Sequence, residues 1–370
     1  GHVRRPGGVD VLMAAALRLK AIDPRHNAPL AFLTGLVGAA VVFGAVQLAN
    51  DPGLFFQTFM KSMGLGSTYA LIALGFVLIF KATQTVNFAQ GALAATGALF
   101  LSFLATDGNI PFTSLGNPIN SLGGPGWMLW GLNVIVALAF AAAVGLVVER
   151  LAIRPMIGEP LFSVAVITLG LEIMFRVFNN DAVEVEFRPL GVPWLANGFK
   201  VGDLLINWSF IAAMVTAAAA FMAVYFFYRS RLGIAMRAVA FDQEAAMAQG
   251  VSVGRVFAIA WAAGAVLAAL GGIFATQPPV AQTLSVDQET ANIAFRALPA
   301  VILGGLDSAS GALLGGIIVG VAEIYAGQYA AGNISWLGAG YPLIVPYVVM
   351  IIGLLIRPYG LFGTPEIRRV

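Results

Sequence analysis

The sequence predicts an all-α integral membrane protein: a polytopic helix bundle of about ten membrane segments, some short or broken, with both termini cytoplasmic. Three observations predict it. Of the 370 residues, 59% are hydrophobic and 10% charged, with a mean hydropathy of +0.87; water-soluble domains carry roughly a quarter charged residues. Apolar runs recur along the chain, most of them close to the roughly 20 residues a helix needs to cross a bilayer. Basic residues are concentrated in every second loop between the runs.

The runs cover 30–49, 57–80, 88–106, 127–148, 161–178, 205–228, 255–275, 291–305, 309–330 and 341–356. Started from inside, they give inner loops holding Lys81; Arg150 and Arg154; Arg229, Arg231, Arg237 and Arg255; and finally Arg357, Arg368 and Arg369. The outer loops 50–56, 107–126, 276–290 and 331–340 contain no Lys or Arg, and in 179–204 Arg188 and Lys200 stand against Asp181, Glu184, Glu186 and Asp203. Lys and Arg accumulate in short cytoplasmic loops, so both termini fall inside. Residues 1–29, with Arg4, Arg5, Arg18, Lys20 and Arg25, read as a basic cytoplasmic tail or an interfacial helix over 11–17. The membrane domain spans 30–357, and 358–370 form a cytoplasmic tail.

Two segments are imperfect spans. Glu172 and Arg176 interrupt 161–178, and 291–305 is short and contains Arg296 and Pro299. Short or broken helices in corresponding places of two halves are compatible with an inverted repeat, to which the faint likeness of SVAVITLG (163–170) and ALPAVILGG (297–305) adds little.

Several chemistries are excluded. The chain has no cysteine, so disulfides, thiol nucleophiles and Cys-ligated metals are absent; its two histidines, His2 and His26, precede the first apolar run, so no metal or His-based catalytic site is expected in the membrane. The net charge of +2 resides in loops and points to membrane orientation, with no call for nucleic acid. No GxxxxGK[ST] occurs, so the chain has no loop to cradle nucleotide phosphates. Energy for any driven process must come from another chain or an ion gradient. Ionisable groups inside the runs are few: Lys61, Glu172, Arg176 and Glu323, with Glu149 and Arg150 at an inner edge. Each costs roughly 2.5–3.5 kcal/mol at a bilayer centre and needs a partner, a polar cavity or a route to the surface. Glu172 and Arg176, four apart, face one another on a helix. Lys61 is expected to snorkel outward, and Glu323 to face a partner helix or another subunit.

Two stretches carry more information. In GLGSTYALIALGFVLIFKATQTVNFAQGAL (64–93), small residues at helical spacing suit close helix packing. The polar set Thr83, Gln84, Thr85, Asn87 and Gln90 follows, and its amides either contact a solute or satisfy an irregular backbone at membrane depth. In RSRLGIAMRAVAFDQEAAMAQGVSVG (229–254), Asp242 is an N-cap residue and Gly250 suits the left-handed position past a helix end, bracketing about two turns of good helix formers. Two readings stand for it: a solvated loop, or a short rigid helix that docks another protein.

The first stretch resembles the early signature of permease subunits of branched-chain amino-acid ABC transporters. VERLAIRPMIGEP (148–160), RLGIAMRAVAFDQEAAMAQGVSVGRV (231–256) and AVILGGLDSASGALLGGIIVGVAE (300–323) agree in order, together covering about residues 60 to 360. The resemblance implies a second, similar permease subunit as partner, two cytoplasmic ATP-binding chains that hold ATP and magnesium, and an extracytoplasmic solute-binding protein, at a bacterial inner membrane. It carries coupling to the ATPases over to Glu244, Ala245, Ala246 and Gly250, with Asp242 as the cap; Arg237 is expected to act with them, and Ser67, Thr68, Asn87, Gln90 and Glu172 are expected along the translocation path. Ala92 departs from the family's usual Glu, and Phe295-Arg296 from a usual Leu-Lys. The expected function is permease subunit of an importer for branched-chain amino acids or related small organic solutes. The alternatives are a secondary transporter or channel acting without ATPase partners, for which intramembrane carboxylates are sparse, and a membrane-embedded enzyme, for which no nucleophile or metal site is found.

Overall fold

The computed structural model describes residues 38 to 364, apart from 39, 112, 114, 184–186, 195, 196, 202, 203, 282, 331–337 and 339. The basic segment 1–29, the acidic Glu184, Glu186 and Asp203, and Arg368 and Arg369 of the C-terminal tail lie outside the described residues. Described residues up to Phe56 form one unit, and those from Gln57 onward a second. In the first, α1 (Ala40–Asn50) is followed by the opening of α2 (Pro52–Thr83), where the Asp51 carboxylate accepts the Leu54 N–H at 2.9 Å.

The second unit continues α2 and adds α3 (Gln90–Ser102), α4 (Gly126–Val148), α5 (Leu161–Val183), α6 (Trp208–Arg229), α7 (Arg231–Phe241), α8 (Gln243–Ala248), α9 (Val253–Ala275), α10 (Ile293–Gly304), α11 (Ala309–Tyr329) and α12 (Val345–Ile356). The ten expected segments resolve unequally. Among the described residues, six helices are long and apolar enough to cross a membrane: α2, α4 with its extension to Met156, α5, α6, α9 and α11. Three others are shorter: α3 (lengthened by a π-helical turn to Asp107), α10 with its 3-10 entry at Thr290, and α12 with its entry at Tyr341; of the first expected run, 30–37 and 39 lie outside the described residues and α1 covers Ala40–Asn50. The protein is thus a polytopic helical membrane protein.

Two small antiparallel strand pairs depart from the all-helical expectation. β1 (Arg188–Pro189) pairs with β4 (Ser285–Val286), and β2 (Gly198–Val201) with β3 (Leu204–Asn207). Near them Arg188 bonds Asp107 at 2.8 Å and stacks 3.8 Å from the Phe103 ring, fastening the end of α3's extension.

The core is α2. Every residue from Gly64 to Ile79 is buried, as befits a helix apolar on all sides. Small residues set its distance to its neighbours. A Cβ on Gly66 would lie 2.7 Å from the Ile317 Cα, and one on Gly316 would lie 2.7 Å from the Ala70 nitrogen, so α2 and α11 touch backbone to backbone. In lipid this close approach replaces the missing hydrophobic drive. Helix α9 packs on α3 and α4, while α10 and α11 form a hairpin capped by Ser308, whose hydroxyl accepts the Gly311 N–H at 3.1 Å.

Candidate functional site

The polar stretch after α2 is a true break. Gln84 adopts φ +57, unusual for a residue with a side chain, and the chain then returns alongside α2. Gln90 lies against Gly75, where any Cβ would strike its amide. Gly75 is eight residues before Thr83, about 12 Å along the helix, so α3 begins well within the depth of the bundle. The break is closed internally. Gln90 Nε2 donates to the Gly264 carbonyl at 3.4 Å, Asn87 Nδ2 donates to Gln90 Oε1 at 3.0 Å, and Asn87 Oδ1 accepts the Ala89 N–H at 3.1 Å. Phe88 N–H donates to the Thr168 hydroxyl of α5 at 3.1 Å.

Glu172, also on α5, reaches the same place. Its Oε2 accepts the Ala92 N–H at 3.1 Å. That amide is one of the orphan donors at the start of α3, where a helix favours negative charge. The carboxylate that Ala92 lacks is therefore supplied across 80 residues of sequence. The expected Glu172–Arg176 pair forms, with Arg176 Nε at 3.0 Å, and Arg176 Nη1 continues to Asn292 Oδ1 at 2.9 Å. Asn292 belongs to the entry of α10, and Gly91 lets α3 abut Ala291 and Ala294 there. Two short helices thus meet at their N-termini inside the bundle, the arrangement by which broken helices line a transport path.

Ser67 and Thr68 sit elsewhere. Both are buried on α2, and the Thr68 hydroxyl donates to the Gly64 carbonyl at 3.1 Å. Gly75 is eight residues from Ser67, so they lie roughly 12 Å from the Gln90 level. Of the five residues expected along a translocation path, the structure brings Asn87, Gln90 and Glu172 together around the break and leaves Ser67 and Thr68 apart. Next to them is a cluster that sequence reasoning missed. Tyr69 donates its O–H to Glu323 Oε2 at 2.6 Å, and Arg296 pairs with Glu323 Oε1, joining α2, α11 and α10. Glu323 therefore faces neighbouring helices of its own chain. A cleft of about 520 Å³ includes Glu323 and Lys61 in its wall, and one of about 420 Å³ includes Arg296, Asp287 and Glu289. Opposite charges in apolar runs signalled a pairing; partners 27 and 254 residues apart could not be matched from sequence.

In the loop 229–254 the capping chemistry appears as expected. Asp242 Oδ1 accepts the Ala245 N–H at 2.9 Å and starts α8. Gly250 adopts φ +81, with Gly250 N–H to the Met247 carbonyl at 2.9 Å and Val251 N–H to Ala246 at 3.0 Å. This paired pattern is a Schellman stop. Glu244, Ala245, Met247 and Gly250 are exposed, whereas Ala246 turns inward and is buried. Only one of the two alanines is thus on the open side. The preceding arginine-rich stretch, read as loop, is α7. Its Ser230 cap accepts the Gly233 N–H at 3.3 Å, and Gly233, Met236 and Val239 form a buried stripe at helical spacing. Arg237 donates to the Tyr228 carbonyl at 2.7 Å, and Phe241, the last residue of α7, is 93% exposed.

Further contacts tie this loop to the bundle. Arg154 holds the buried Glu149 with two bonds of 2.9 Å and donates to the Gly254 carbonyl at 3.3 Å, at the start of α9. Lys81 donates to the Asp307 carbonyl at 2.8 Å beside the Tyr228 ring. The segment expected as a C-terminal tail is docked up to Thr364: Leu361 and Phe362 N–H groups bond the Leu303 and Gly304 carbonyls at 2.7 and 3.0 Å, and Thr364 caps on Asp307.

Residues 58–354 match the family model described as branched-chain amino acid transport system / permease component. The chain belongs to this family. It is 30% identical over 327 residues to the high-affinity branched-chain amino acid transport system permease protein LivH of Escherichia coli K12, covering 85% of this chain and 98% of that one. Identity to BraD of Pseudomonas aeruginosa is 29%, with the same coverage, and to the ribose import permease protein RbsC of E. coli K12 it is 25%, covering 86% and 91%. The chain is accordingly a membrane permease subunit of an ABC transporter and not an enzyme; in this permease family ATP hydrolysis belongs to partner subunits.

Proposed function

We propose that this chain is one of two similar, non-identical permeases of an importer for branched-chain amino acids or related small organic solutes, in a bacterial cytoplasmic membrane. Both termini face the cytoplasm, and 30–357 form the permease domain. Two ATP-binding chains sit beneath it, and an extracytoplasmic binding protein delivers the solute. ATP and magnesium are held by those partner chains, where hydrolysis supplies the free energy. Asp242, Glu244, Ala245 and Gly250 couple to them, with Arg237 fixing α7 against α6 and Ala246 seating α8 on the bundle. Movement of α8 passes through Val251 into α9, which carries the Gly264 carbonyl that holds Gln90. The break formed by Asn87, Gln90 and Glu172, with Ser67 and Thr68 on α2, lies along the path.

One observation carries this reading. A six-residue helix, capped at both ends, presents Glu244, Ala245 and Met247 outward beside an exposed Phe241, and the described residues leave that surface uncovered. The test is Gly250→Val. No atom lies within 4 Å of a Cβ there, so the cost is backbone strain alone, about 1–2 kcal/mol. The variant is expected to insert and assemble normally while ATP hydrolysis by the co-purified partners loses its link to uptake. Uptake at the normal rate per ATP would count against the coupling role, and isolation without any chain containing GxxxxGK[ST] against the importer.

A further inference from the structure

We infer that Arg296 is the residue that selects for a carboxylate on the solute, and that a solute carboxylate takes the place of Glu323 beside it. The inference rests on the importer reading and deepens it. Arg296 lies in the wall of the 420 Å³ cleft and Glu323 in that of the 520 Å³ cleft, so their ion pair is the partition between two spaces.

The donors of the two membrane arginines are used differently. Arg176 is spent: it gives Nε and Nη2 to Glu172 and Nη1 to Asn292. Arg296 gives Nη2 to Glu323, while its Nε is buried without a hydrogen-bond partner. A guanidinium presents its donors in a fork that fits a carboxylate with two parallel bonds. Glu323 meets only part of that fork; Nε is out of reach of the cleft while the pair is closed, and a solute carboxylate that takes the place of Glu323 meets it.

Charge accounting explains why the exchange is feasible at this site. A buried ion cannot be left unpaired without a cost of several kcal/mol, so opening the partition requires a new partner for each charge. The solute supplies one for Arg296. Glu323 keeps the Tyr69 O–H at 2.6 Å and shares its cleft with Lys61. Asp287 and Glu289, in the cleft of Arg296, face the positive end of a zwitterion. Separation of the pair then joins the two clefts next to the meeting point of α3 and α10.

The test uses the complete assembly in lipid nanodiscs without the extracytoplasmic binding protein, with L-leucine, isovalerate and isoamylamine as probes followed by saturation-transfer NMR. Leucine and isovalerate are expected to bind and isoamylamine to bind far more weakly. Glu323→Gln removes the competing charge and should tighten isovalerate roughly tenfold, whereas Arg296→Lys keeps the charge but loses the fork and should weaken it by a similar factor. Tyr69→Phe leaves Glu323 more dependent on Arg296 and should weaken isovalerate severalfold; it decides the matter if the charge variants fail to assemble. The inference is overturned if isovalerate does not bind, if Glu323→Gln and Arg296→Lys change binding in the same direction, or if Tyr69→Phe leaves it unchanged. ATP-dependent uptake is scored separately: its absence sinks the importer reading, and its presence without carboxylate discrimination sinks only this one.

Discussion

Two short polar interruptions break the apolar helices of this permease, and they are built to opposite ends. Residues 84–92, the link from α2 into the first turn of α3, fold inward: Asn87 and Gln90 are buried and bond one another, Gln90 also bonds the Gly264 carbonyl, and Glu172 closes the helix start at Ala92. Residues 242–250, between α7 and α9, fold outward: the backbone is equally well capped, yet Glu244, Ala245 and Met247 face away from the chain. Similar residue types therefore serve different ends, and burial tells them apart. Where every polar group finds a partner inside, substitution should register as lost stability. Where the caps merely hold a surface in place, it should register as lost communication.

The largest effect is expected where the inner region is held closest. Gly316→Leu would drive a side chain into the Ala70 and Gly66 backbone, which has no rotamer to yield. A loss of upwards of about 3 kcal/mol should follow, seen as failure to accumulate in the membrane or as a sharply lowered unfolding temperature in detergent. Normal accumulation would show that α2 and α11 are not locked together. Gln90→Ala comes next. It leaves the Asn87 amide and the Gly264 carbonyl without their partner, at about 1–3 kcal/mol. Thermal unfolding should fall while binding of the ATPase partners is kept; the reverse pattern would erase the contrast between the two regions. Asp242→Ala is the smallest, costing about 1 kcal/mol confined to α8. Uptake should drop with little change in unfolding temperature, and Asp242→Ser should restore it.

The outer region was the more legible in sequence, because capping is local. Asp242 and Gly250 announce α8 within nine positions, and both caps form as those residue types require. Helix α7 was hidden because Arg231 and Arg237 mask a buried stripe of only Gly233, Met236 and Val239. The apolar runs gave the membrane helices, but their unequal lengths depend on packing and could not be read from hydropathy. Long-range pairs were beyond reach: nothing near Glu172 points to Ala92, and nothing near Tyr69 to Glu323. The strand pair Arg188–Pro189 with Ser285–Val286 is too short to leave a pattern.

The docking of the final described residues has a practical consequence. Leu361 and Phe362 complete the hydrogen bonding of the last carbonyls of α10, and Thr364 is fastened to Asp307 in the turn that follows. The half-helix and residues 361–364 are therefore one mechanical piece. A reporter attached at the exposed Phe362 acts as a pointer fixed to a helix buried in the membrane, and its distance from a second reporter on α8 would register movement of one against the other during turnover.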